Sequence, residues 1–122
     1  MLRPTEPNPA PEPVFERLEG QRVDLGALRV HRALPNRHRR SIGPFVFLDA
    51  FGPSDRLFDV GSHPHTGIAT VTWLTSGRVL HRDGLGSEVT FGPKQLSLMI
   101  AGRGLCHTET GVEGPLTGVQ LW

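Results

Sequence analysis

The chain has 122 residues, 37% hydrophobic and 20% charged, enough for one domain with one modest core. A formal net charge of +1 does not point to nucleic acid or a membrane surface as partner, and no apolar run approaches the roughly 20 residues of a membrane span. A single cysteine, Cys106, excludes an intrachain disulfide. The N-terminus also lacks the basic-then-apolar layout of a secretion signal, so a reducing, cytoplasmic setting is expected.

With 15 Gly and 11 Pro, the chain is rich in turns. Residues 1–13 (MLRPTEPNPAPEP) hold prolines that exclude helix and most strand pairing, which predicts a disordered or polyproline-like tail ahead of an ordered domain over 14–122. Leu28–Leu34 reads as a strand ended by Pro35-Asn36, and Arg37–Arg40 as a solvated basic loop. Phe45–Leu48 is short and continuously apolar, as in a buried strand, with Gly52-Pro53 as its closing turn. Ala69–Leu74 is rich in β-formers; Ser76-Gly77 then predicts a hairpin, with Arg78–Arg82 as the returning strand. Further short strands are expected at Glu88–Phe91, Gln95–Ile100, Leu105–Thr110 and Leu116–Trp122, separated by glycine turns. No helix of ordinary length stands out. The spacing predicts an all-β sandwich or barrel.

Two segments carry chemistry: His63-Pro64-His65 and His107-Thr108-Glu109. Residues i and i+2 of a strand share a face, so each segment projects two ligand groups in one direction. Two such strands facing across a barrel would supply three imidazoles and one carboxylate, a set that suits Fe(II), Mn, Ni, Cu or Zn. Two unrelated surface pairs are the competing reading of that spacing. Pro64 cannot donate a ladder hydrogen bond, which places His63–His65 at an edge. On the second segment Cys106 should point away from the ligands and pack as a small apolar residue. His31, His38 and His81 lack such partner geometry; His81 is a candidate for a supporting role beside the site.

Four segments then follow in a recognisable order: GPFVFLDAFGP (Gly43–Pro53), HPHTGIATVTWL (His63–Leu74), HRDGLG (His81–Gly86) and AGRGLCHTE (Ala101–Glu109). From about Leu28 to Trp122 the chain resembles the pirin family of the cupin superfamily. The resemblance implies a double-stranded β-helix, the jelly-roll cupin barrel, with a mononuclear iron site. Its ligands would be His63 and His65, with His107 and Glu109 in the segment that matches the family's H-S-E. Three positions depart: alanine stands at 69 where a glutamate is usual, threonine at 66 where an arginine is common, and alanine at 50 where a histidine is common. The carboxylate then falls to Glu109 alone, and the pocket mouth is expected to differ.

The resemblance implies two activities. One is quercetin 2,3-dioxygenase-type chemistry, in which a flavonol-like substrate meets O₂ at the metal, Glu109 is both ligand and proton acceptor, and ring cleavage releases carbon monoxide. The other is a metal- and redox-dependent regulatory role, without catalysis, on a transcription factor or metabolic enzyme. Members typically have two cupin domains, and this sequence matches the first. An apolar strand Leu116–Trp122 left uncovered would pair with a second copy, so a homodimer with Trp122 near its interface is expected.

Overall fold

The two longest strands organise the molecule. In the computed structural model, which describes residues 15–25, 28–54 and 59–122, eight strands follow in order. They are β1 (Gln21–Leu25), β2 (Leu28–Leu34), β3 (Leu48–Ser54), β4 (Asp59–His65), β5 (Ala69–Asp83), β6 (Glu88–Phe91), β7 (Leu96–Ile100) and β8 (Leu105–Leu121). No helix occurs among the described residues, and the proline-rich segment 1–13 lies outside them. β5 and β8 run antiparallel from Val71↔Leu121 to Asp83↔His107, and their register breaks three times between Leu74 and Val79.

On one side of those breaks the sheet runs β7-β5-β8-β3-β2-β1; on the other it runs β6-β5-β8-β4. Val30, Phe51, Leu74 and Leu116 of the first half share one buried cluster with Val79 and Phe91 of the second. A single antiparallel sheet is thus folded over on itself around that core, the double-stranded β-helix that the family resemblance implied.

Several segmental expectations need correction. Ser76-Gly77 makes no hairpin, because β5 continues through it as one strand of 15 residues. Leu105–Thr110 and Leu116–Trp122 are likewise parts of one strand, β8, that ends at Leu121. The two halves of β5 pair with β8 rather than with each other, so Gly77 bends a strand instead of reversing the chain. Its φ of +78° and the 2.7 Å that a Cβ would leave to the Glu113 carbonyl explain why glycine is required. Gly52-Pro53 is not a terminal turn but an irregularity inside β3, where the register to β8 shifts. Phe45 and Val46 are exposed and precede the strand, which starts at Leu48.

The first half presents an inward row of polar side chains. Pairing puts Ser97, Thr72, Gln120, Asp49 and Arg32 side by side across it. Asp49 and Thr72 are each only 4% exposed. Arg32 closes one end with two bonds to Asp49, Nε to Oδ1 at 2.8 Å and Nη2 to Oδ2 at 2.7 Å. A polar row inside a small barrel needs polar partners opposite it, and those lie on β4 and β8.

Candidate metal centre

β4 and β8 are neighbours in one sheet, not strands facing across the barrel, and their register sets His63 directly against His107. Among the described residues β4 pairs with β8 alone, so Pro64 lies on an edge strand, as its missing N–H requires. His63, His65 and His107 form one group of converging donors; His81, His107 and Glu109 form a second. The sequence-predicted residues therefore assemble around His107, with Glu109 on the side shared with His81. His107 is 2% exposed, His65 7%, and His81 and Glu109 9%.

Hydrogen bonds fix the rings. A carbonyl only accepts, so His63 Nδ1 carries the proton it donates to Gly61 O at 2.9 Å, and a neutral His63 then has a bare Nε2. That Nε2 lies 3.0 Å from His107 Nε2. His65 Nε2 is buried with no hydrogen-bond partner among the described residues. Two nitrogens at right angles about one ion, each ~2.05 Å from it, would be separated by about 2.9 Å. An orphaned buried nitrogen beside two converging ones is costly alone and fits a divalent metal held by His63, His65 and His107.

Glu109 is gripped from the other half of the barrel. Gln120 Nε2 donates to both its oxygens, at 3.3 and 3.2 Å, and to Thr72 Oγ1 at 2.9 Å. The amide cannot be flipped, because Trp122 Nε1–H donates to Gln120 Oε1 at 3.0 Å. Trp122 itself packs against Phe47 (centroids 4.8 Å) and edge-on to His65 (5.0 Å). Gln120, Thr72 and Trp122 were missed in the sequence because each is a separate polar or aromatic residue on an unremarkable strand. His81 is also drawn in: its Nδ1 lies 3.2 Å from His107 Nδ1, and its Nε2 lies 3.4 Å from Asp83 Oδ2. The motif HRDGLG held that signal.

Other positions fall outside the site. Cys106 points away from the ligands as expected, but it is exposed rather than packed. Ala50 is exposed between the buried Asp49 and Phe51, so a change there leaves the pocket mouth untouched. Along the first half of β5 the buried side chains are Thr70, Thr72 and Leu74, which leaves Ala69 on the opposite face. His31 and His38 are exposed.

Burial and the neighbouring rings hold His107 down to about 4, with desolvation the main cause and His63 next. His65 is lowered for the same reasons. Burial raises Glu109, against a lowering by the Gln120 hydrogen bond. Asp83 is held at about 2, chiefly by the Ser87 amide and hydroxyl. Unfolded histidines take protons near 6.5, whereas folded His107 stays neutral to about pH 4. The unfolded state therefore binds more protons in that window, and stability falls as pH drops through it. Glu109 acts in the opposite sense, because it is protonated in the folded state at a higher pH than in the unfolded chain. The urea midpoint of metal-free protein is expected to fall between pH 6.5 and 4, and to fall more steeply in Glu109→Gln. A variant slope equal to or shallower than wild type would contradict the assignment of Glu109 as a buried acid.

An all-β double-stranded β-helix whose histidine and carboxylate donors gather in two groups that share His107 is a cupin with a metal-type donor cluster. The pirin family profile matches residues 27–122, and the chain belongs to that family. A Pseudomonas aeruginosa protein provisionally named a quercetin 2,3-dioxygenase is 39% identical over 120 residues, covering 91% of this chain and 38% of that protein. The crystal structure of quercetin 2,3-dioxygenase from Acinetobacter baumannii superposes with a TM-score of 0.80 at 40% identity, covering 85% of this chain and 37% of that one. A bacterial pirin from Escherichia coli in complex with nickel(II) shares the fold, with a TM-score of 0.70 at 20% identity over 84% of this chain and 47% of that one. The chain spans less than half the length of each of these three proteins.

Proposed function

We propose that the chain binds one divalent metal, Fe(II) by preference, through His63, His65, His107 and Glu109, and oxidises a flavonol-like substrate in the manner of a quercetin 2,3-dioxygenase. The observation that carries this reading is the convergence of the bare His63 Nε2 and the orphaned His65 Nε2 on His107. A bound divalent ion supplies Lewis acidity toward a hydroxyl and, as iron, electron exchange with dioxygen. Nickel, manganese, copper and zinc suit the same donors.

The chain's own residues divide the remaining work. Burial disfavours the charged forms of His65 and His107, which keeps their nitrogens available as donors. Glu109 accepts the proton of an entering hydroxyl, and Gln120 holds its carboxylate in place for that transfer. Beside His81 and Asp83 an open groove of about 450 Å³ is walled by Leu85, Phe91, Leu96, Met99 and Leu105. That volume and its apolar walls suit a flat aromatic ligand.

The regulatory alternative would use the basic loop. There Arg37 Nε donates to His38 Nε2, and Arg39 pairs with Glu16, so two of the three arginines are already engaged. The groove beside His81, the neighbour of His107, favours the enzyme. Oxygen uptake by iron-loaded protein with quercetin and a panel of flavonols tests the reading, with carbon monoxide as the accompanying product. Fully loaded protein that consumes no oxygen with any of them would refute it.

A further inference from the structure

His107 is the pivot of both donor groups, and its two ring nitrogens face different ways: Nε2 toward His63 at 3.0 Å, Nδ1 toward His81 at 3.2 Å. A neutral imidazole has one N–H and one lone pair, so only one of these nitrogens can ligate a metal while the other keeps the proton. Something must select which.

The HRDGLG turn holds the answer. Asp83 Oδ1 accepts the backbone N–H of Leu85 at 2.9 Å and of Ser87 at 3.0 Å. The turn closes on itself through Gly86 N–H to Asp83 O at 3.1 Å and Asp83 N–H to Ser87 O at 3.1 Å. This leaves Oδ2 aimed at His81 Nε2 at 3.4 Å, with the Asp83 side chain 8% exposed and that of His81 11%. A carboxylate accepts only, so a neutral His81 carries its one proton on Nε2. His81 Nδ1 is then a lone pair, and it can meet His107 Nδ1 only if that nitrogen carries a proton. The lone pair of His107 is thereby placed on Nε2, beside the bare Nε2 of His63.

We propose that Asp83 and His81 are positioning residues that lock His107 in the tautomer able to ligate metal through Nε2. The proposal rests on the metal site argued above and adds to it a chain Asp83–His81–His107 outside the four ligands. Such outer partners orient a ligating imidazole and strengthen it as a donor. His81 is accordingly a partner of the ligand, not a ligand, although it lies within the second donor group.

Asp83→Asn is the informative variant. Its side-chain oxygen still accepts the Leu85 and Ser87 amides, so the turn keeps its bonds, but an N–H₂ now faces His81. The polarity of the chain reverses: His81 Nδ1 becomes the proton carrier, and His107 Nε2 becomes protonated. Zinc competition titrations on the full chain should show affinity about 10–100-fold weaker in the variant. Nitrogen-15 spectra of zinc-loaded wild type should show His107 with a protonated Nδ1 and a metal-shifted Nε2, and His81 with a protonated Nε2 and no metal shift. Metal-free Asp83→Asn should show His81 in the other tautomer. Affinity within twofold of wild type, a metal-shifted nitrogen on His81, or a bare Nδ1 on His107 would each overturn the proposal. Failure of wild type to bind zinc would instead overturn the metal site and the positioning role with it.

Discussion

His107→Ala is expected to abolish tight metal binding, by more than the roughly 10–100-fold that loss of an outer partner costs. The ring is shared by both donor groups and is 2% exposed, so its removal takes a donor from each group at once. It also leaves His81 Nδ1 without the partner it has at 3.2 Å, which adds a stability cost. Competition titrations with zinc and nickel, followed by elemental analysis, check it. The same variant should lose much of the acid sensitivity of the metal-free protein, because the most strongly lowered histidine is gone. Stoichiometric metal in purified His107→Ala would remove the site as drawn.

Glu109→Gln should separate binding from turnover. The substitution keeps an oxygen that can accept from Gln120 Nε2 and removes both charge and basicity. Metal should be partly retained, while oxygen uptake with an active flavonol falls by roughly 10²–10⁴-fold, the usual cost of a lost general base. The buried carboxylate is raised by desolvation, so the uncharged variant should be more stable than wild type when metal is absent and the pH is neutral. Full turnover in the variant would leave oxygenase chemistry standing and take the proton-acceptor role away from Glu109.

How much of this was legible beforehand differs from element to element. β2 and β6 were readable to the residue because turn-forming residues bound them on both sides. The ligand pairs were readable because period-2 geometry needs only two residues to declare a face. The continuity of β5 and β8 was not, since Ser76-Gly77 and Gly114-Pro115 have the chemistry of turns and become bends only because each strand has the other to pair with. That is tertiary context overriding a local signal. The exposure of Phe45 and Val46 was hidden in the same way, because an apolar run does not say which neighbours will reach it. Glu109 was found, but its holder Gln120 was not: the two are 11 residues apart on one strand and meet only because that strand crosses from one half of the barrel to the other.

That crossing strand has a kinetic consequence. β8 is paired on both sides, with β5 along its length and with β4 and β3 at its two ends, and it is the eighth of the eight strands in chain order. Neither half of the sheet is continuous until it docks, so closure must bring together segments far apart along the chain, which is slow. It also carries His107 and Glu109, together with Gln120. Earlier strands supply His63, His65 and His81, but these have nothing to converge on before β8 arrives. Assembly of the donor cluster and completion of the barrel therefore depend on the docking of one strand, and an ion that binds the finished cluster slows unfolding by holding that strand in place.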